Sequence, residues 1–213
     1  MRNPKEYSVE TGDVELAVVE WEGDSDPILL LHATGFHSRC WDQVVKRLPG
    51  EHIYAIDLRF HGRSGKGTGG QEIDWILLAE DVRTCVTRLG LERIVGVGHS
   101  IGGHLVARAA AAAPERFKQL LLLDPVILSP ESYAHYRTMA AAAQVSDHPV
   151  SRRKNTWADA DEMYLRFRDK PPFDSWQAEV LRDYCDYALV PEGADGTMTL
   201  ACDPVNEASI YLS

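Results

Sequence analysis

Gly98-His99-Ser100-Ile101-Gly102 decides the reading of this chain, because it joins the apolar run Ile94–Val97 to the alanine-rich stretch Ile101–Ala113. The first reads as a buried strand and the second as a helix that Pro114 stops. Small residues on both sides of Ser100 let the backbone turn sharply and leave the hydroxyl exposed at the turn. A serine hydroxyl is a weak nucleophile in water. It becomes useful when a base is fixed beside it and backbone amides await the developing oxyanion.

The same alternation extends on both sides of this turn. Upstream, Tyr7–Val9 and Leu16–Trp21 flank Gly12-Asp13 and read as a hairpin, and Ile28–Leu31 is an apolar run expected of a strand covered on both faces. Trp41, Val44, Val45 and Leu48 recur at helical spacing before Pro49-Gly50, and His52–Ile56 is strand-like. Trp75, Leu78, Val82, Val86 and Leu89 form one helix face that Gly90 can cap, and Leu120–Leu123 reads as another buried strand. Strands alternating with helices predict an α/β fold, a mostly parallel central sheet with flanking helices and one antiparallel edge. After Asp124-Pro125 the rhythm changes to helical patterns rich in aromatics. The expected division is a core over 1–124, a helical lid over 125–203 and the start of a return to the core over 204–213.

Composition excludes several functions. A formal charge of −10 argues against nucleic acid, whose phosphates require a basic face. No apolar run approaches the roughly 20 residues of a membrane helix, and the polar N-terminus has no secretory core. The four cysteines, Cys40, Cys85, Cys185 and Cys202, are scattered without a C-x-x-C pair, which fits reduced thiols in a cytoplasmic protein. No histidine–carboxylate spacing suggests a metal, and no cofactor is expected. Gly65-Lys-Gly67-Thr-Gly-Gly70 has the spacing of a dinucleotide fingerprint but follows Arg63-Ser64 instead of an apolar strand, so it has no phosphate-cradling context. Arg152-Arg-Lys154 reads as a solvated cluster that would at most bias an entrance toward anions.

Four ordered blocks resemble the α/β-hydrolase family: Leu29-Leu-Leu-His32-Ala-Thr-Gly35 with Trp41 following, Asp57-Leu-Arg-Phe-His-Gly62-Arg-Ser64, Gly98-His-Ser-Ile-Gly102 and Leu121-Leu-Leu-Asp-Pro125. The resemblance spans nearly the whole chain. It implies a lid-bearing serine hydrolase with Ser100 as nucleophile, Asp124 as the best acid present, and the amides of Thr34 and Ile101 as the oxyanion hole. Ala33 stands where the family usually has glycine, which leaves the Thr34 assignment open by a residue or two. Serine at position 100 argues against the haloalkane dehalogenases and related epoxide hydrolases, which place aspartate there. His32, Phe36, His99, Trp157 and Trp176 are expected to border the substrate, although a packing role competes for each. His32 and His61 also fit structural turns, and His104, one helical turn past Ser100, is expected to face along its helix.

One element of the family pattern is missing. All eight histidines lie at or before His148, whereas the family's base follows the acid in the chain. The segment Leu200–Tyr211 resembles the return from lid to sheet, after which two further strand–helix units of about 30 residues each would be expected. The chain therefore reads as truncated before its base, impaired on its own, and prone to self-association through an open sheet edge. The expected substrate is a small apolar acyl compound, most simply a carboxylic ester. Carbon–carbon bond hydrolases and cofactor-free haloperoxidases share the same serine site and stay open. A non-catalytic binding or interaction protein on the same scaffold is the alternative.

Overall fold

The computed structural model describes residues 3–68, 73–192 and 196–213. Gly69 and Gly70 of the glycine-rich stretch lie outside the described residues. Strands β1 (Lys5–Glu10) and β2 (Glu15–Trp21) form the expected antiparallel hairpin, closed where the Thr11 amide donates to the Val14 carbonyl at 2.8 Å. Strands β3 (Ile28–Leu31), β4 (Ile53–Ile56), β5 (Ile94–His99) and β6 (Phe117–Leu123) complete a six-stranded sheet in the order β1-β2-β4-β3-β5-β6. β3 runs parallel to both β4 and β5, and β5 parallel to β6. The nucleophile candidate thus leaves the sheet from a central strand.

Both faces of the sheet are covered over its central strands. Helices α2 (Trp75–Arg88) and α3 (Ile101–Ala112) pack Leu78, Val82, Leu105 and Val106 against Leu29, Leu31 and Ile56. Asp74 starts α2 by accepting the Leu77 amide at 2.8 Å, satisfying one of the free donors of the first turn. On the opposite face, Trp41 and Val45 meet Trp21, Leu30 and Val97. The helix expected over Trp41–Leu48 is a 3-10 turn, Ser38–Trp41, running into one α-turn, α1 (Asp42–Val45).

A buried ion network ties the hairpin turn to α2. Arg59, 2% exposed, grips Asp81 through Nε at 2.7 Å and Nη2 at 2.9 Å and also reaches Asp13. Asp57, two residues before, accepts the Ser38 and Arg63 amides at 2.6 and 2.8 Å and so fixes the loops that follow β3 and β4. These carboxylates explain the Asp57-Leu-Arg block as a folding device, since buried charges persist only when fully paired.

After β6 the chain forms a second layer. Helices α4 (Pro130–Ala142), α5 (Ala160–Phe167) and α6 (Ala178–Tyr187) agree with the helical patterns seen in sequence. The layer also contains a three-stranded antiparallel sheet, β7 (Thr156–Trp157), β9 (Thr197–Leu200) and β8 (Leu189–Glu192), which the helical reading did not include. Trp157, Met163, Leu181 and Tyr184 form its core. Helix α7 (Pro204–Tyr211) then places Ile210 in the main core, where the Trp75 indole donates to its carbonyl at 2.8 Å. Among the described strands β6 pairs with β5 alone, and Leu121 and Leu123 are exposed. Among the described residues, no helix is long and apolar enough to cross a membrane.

Candidate active site

Ser100 sits at φ 54° and ψ −119°, a conformation that L-residues other than glycine rarely adopt. The turn is held from three directions. The Ser100 amide donates to Leu123 O at 2.9 Å, and the Ser100 carbonyl accepts from Gly103 at 3.0 Å and from Val126 at 3.3 Å. The flanking glycines allow close approach: a Cβ on Gly98 would lie 2.3 Å from the Gly102 carbonyl oxygen, and one on Gly102 2.5 Å from that of Leu31. The Ser100 hydroxyl makes no hydrogen bond among the described residues. A strained turn thus presents an uncommitted oxygen.

That oxygen borders a cavity of about 810 Å³, shared with Thr34, Ile101, Trp75, Val126, Tyr133 and others. The backbone amides of Thr34 and Ile101 have no hydrogen-bond partner among the described residues. One is an unpaired donor at the start of α3 and the other lies in the loop after β3. The loop is fixed from behind: the Gly35 amide donates to His61 Nε2 at 3.0 Å, and Leu58 donates to His32 Nε2 at 3.0 Å.

Glu207, 4% exposed, closes the far side of the same loop. It pairs with Arg153 at 2.6 Å, and Arg153 donates onward to the Tyr184 hydroxyl at 3.0 Å. Gly35 sits at φ +76°, and a Cβ there would come within 2.3 Å of Glu207 Oε1, so a side chain would have to displace the Glu207 carboxylate. Arg153 therefore serves inside the protein. Its neighbours are also engaged, Lys154 with Glu162 and Arg152 with the carbonyls of Ser146 and Asp147. Arg152 and Lys154 are exposed, as a solvated cluster predicts, whereas Arg153 departs from that reading and latches onto Glu207 and Tyr184.

Ser100, Thr34 and Ile101 come together as expected, and the other sequence candidates divide. Phe36 lies 6.2 Å from the His99 ring and 5.4 Å from Trp176 between centroids, so these three form a wall beside the elbow, outside the cavity lining. Burial lowers the His99 pKa, against an opposing pull from Asp124. Asp124 is exposed at the end of β6 with φ 45° and makes no hydrogen bond to a histidine. Two substrate-facing expectations fail. His32 is 1% exposed, with both ring nitrogens used by backbone groups, and Trp157, 2% exposed, packs against Phe167 in the second layer's core.

His104 departs in the other direction. Of the eight histidines it is the one bordering the cavity; its amide donates to the Ser100 carbonyl at 3.3 Å, but its ring makes no hydrogen bond to the Ser100 hydroxyl. Its Nδ1 donates to Val126 O at 2.9 Å, with the Tyr133 hydroxyl 3.2 Å away, and burial lowers its pKa. Arg108, Arg137 and Tyr211, not singled out in sequence, also border the cavity, as do Trp75, read in sequence only as a helix-face residue, and Tyr136, one of the aromatics after Asp124. The usable signal was the i, i+4 spacing of Ser100, His104 and Arg108 along α3.

A family model described as the alpha/beta hydrolase family matches residues 28–207. The chain belongs to the alpha/beta hydrolase family. It is 31% identical over 156 residues to lipase LipV of Mycobacterium tuberculosis, covering 69% of this chain and 58% of that protein. It is 32% identical over 124 residues to esterase Rv0045c of the same organism, covering 57% of this chain and 39% of the relative. The chain therefore spans well under two thirds of these relatives' lengths. Among solved structures, E-2-(acetamidomethylene)succinate hydrolase superposes with a TM-score of 0.73 at 22% identity, covering 98% of this chain and 72% of that one. At that identity the likeness speaks for the fold.

Proposed function

We propose that this hydrolase-family chain cleaves a carboxylic ester or related small acyl compound through an acyl-enzyme on Ser100. Ser100 Oγ would attack the substrate carbonyl, and the alkoxide would leave carrying a proton. Water would then cleave the new ester and free the serine. The amides of Thr34 and Ile101 would hold the oxyanion, with little reorganisation because the loop and helix that carry them are already fixed. The observation that carries this reading is an unbonded hydroxyl at a strained turn, bordering one cavity with two partnerless amides. The names of LipV and Rv0045c, a lipase and an esterase, support ester substrates.

No imidazole hydrogen-bonds to the Ser100 hydroxyl among the described residues, so the proton acceptor in this reading is an imidazole outside them, with Asp124, whose charge acts on His99 beside the elbow, as the candidate acid. Residues 125–203 would act as the lid. The free edge of β6, with exposed Leu121 and Leu123, would accept a further strand or a second copy of the chain. A second reading is a binding protein on a hydrolase scaffold, which would use the same cavity without turnover.

Fluorophosphonate labelling with mass mapping separates them. The expected adduct sits on Ser100 and is absent in Ser100→Ala. It forms at least about 100-fold faster in a polypeptide carrying whatever its gene encodes beyond Ser213, the minimum effect of a general base. An adduct elsewhere, or none in either form, overturns the acyl-enzyme reading and leaves the binding protein.

A further inference from the structure

The cavity beside Ser100 is lined largely by apolar groups, yet two arginines border it, Arg108 on α3 and Arg137 on α4. Both are exposed, and neither has a carboxylate partner among the described residues. Carboxylates are not scarce in a chain with 32 acidic against 22 basic residues. Arg59, Arg93, Arg116 and Arg182 each hold one. The acidic side chain on the cavity wall, Asp74, is committed to capping α2 through Leu77.

Both arginines line the cavity that Ser100 borders, Arg108 one turn past His104 on α3 and Arg137 one turn past Tyr133 on α4. Eight residues separate Ser100 from Arg108, which is about 12 Å of helix axis. An extended chain covers that distance in roughly ten bonds, at the ~1.2 Å per bond of extended backbone. Planar guanidinium groups favour oxyanions that can take two hydrogen bonds at once.

We propose that the site takes acyl compounds of medium length whose far end carries a carboxylate or phosphate, held by Arg108 and Arg137 while the acyl carbon lies at Ser100. The inference rests on reading Ser100 as the reacting group. The apolar wall between them, from Trp75, Val126 and Ile127, accommodates the connecting chain. This anion site lies elsewhere than 152–154, the solvated cluster that would at most bias an entrance toward anions, where Arg153 is held by Glu207 and Lys154 by Glu162.

The test is calorimetric binding to the Ser100→Ala protein, which reports affinity without turnover. The probes are methyl decanoate and its analogues bearing a terminal carboxylate or a terminal phosphate. At least one anionic probe is expected to bind about tenfold or more tightly than the neutral one, the discrimination of a single charge-assisted hydrogen bond. The two anionic arms identify which oxyanion fits. In Arg108→Gln/Arg137→Gln the ratio of anionic to neutral affinity should fall toward one, with the far-ultraviolet spectrum unchanged. Equal affinities, no binding of any probe, or a preference that survives the double variant would overturn the proposal. The binding preference is measured without Ser100 chemistry, so it stands or falls separately from the fluorophosphonate result.

Discussion

Replacing Gly102 by alanine is expected to destroy the elbow and with it the fold. The added methyl would sit 2.5 Å from the Leu31 carbonyl oxygen and 2.6 Å from that of His32. Both are backbone atoms, Leu31 in a strand paired on both sides, so neither can move without breaking the sheet. Helix α3 would have to lift off β3, separating Leu105 and Val106 from the core. Overpacking of this kind costs about 3 kcal/mol or more, a large part of the stability of a domain. Gly50→Ala is the control, because Gly50 has a positive φ, +87°, which Gly102 lacks, but nothing within 4 Å of its would-be Cβ. It should cost only the left-handed backbone penalty of about 1–2 kcal/mol. Urea unfolding followed by circular dichroism compares them. A Gly102→Ala midpoint equal to that of wild type would show that α3 is not seated as tightly as the close approach implies.

The same close approach explains why the sequence was so readable here. A glycine on each side of Ser100, a strand before and a helix after leave few other conformations, so sequence pattern and tertiary geometry coincide at 94–113. The sheet strands were legible for a similar reason: Ile28–Leu31 and Ile53–Ile56 are covered on both faces and therefore continuously apolar. The small sheet of the second layer left no such trace. β7 is two residues long, β8 reads Leu-Val-Pro-Glu with a proline inside, and β9 alternates threonine with Met198 and Leu200. Periods cannot be counted over elements that short. Trp157 illustrates the other limit. An aromatic side chain in a layer above a site either faces the cavity or packs its own core, and spacing alone does not distinguish the two. Arg108 and Arg137 were invisible for the converse reason, since they come to border one cavity only in the folded chain.

Acidification is expected to unfold the protein well before its carboxylates titrate. His32 and His61 lie 4.9 Å apart behind the loop that carries Thr34, each 1% exposed. Their tautomers are dictated by backbone groups: each Nε2 accepts an amide, from Leu58 and Gly35, and each Nδ1 therefore donates, to Ala33 O at 2.8 Å and Arg59 O at 2.9 Å. A proton added to either Nε2 would point at an N–H group in a buried space. Burial accordingly pushes both pKa values down to about 3. His37 shifts in the same direction, although Asp57 opposes it.

Because the folded values lie below the unfolded value of about 6.5, the unfolded chain takes up protons that the native state refuses. The stabilisation is fully present above about pH 6.5 and is lost as pH falls from there toward 3. Two such groups give a slope of about 2.7 kcal/mol per pH unit once both titrate in the unfolded state. Urea midpoints measured from pH 8 to pH 5 should be flat at the upper end and then fall steeply. His61→Gln, whose side-chain oxygen can still accept the Gly35 amide, should remove about half the slope. A midpoint independent of pH down to 5 would mean that these imidazoles are not held neutral. The site feels the same titration, since the Gly35 amide that His61 anchors adjoins Thr34. Protonating His61 would withdraw that anchor from the loop bearing one of the two oxyanion donors, so labelling of Ser100 should fail along with the fold and not before it.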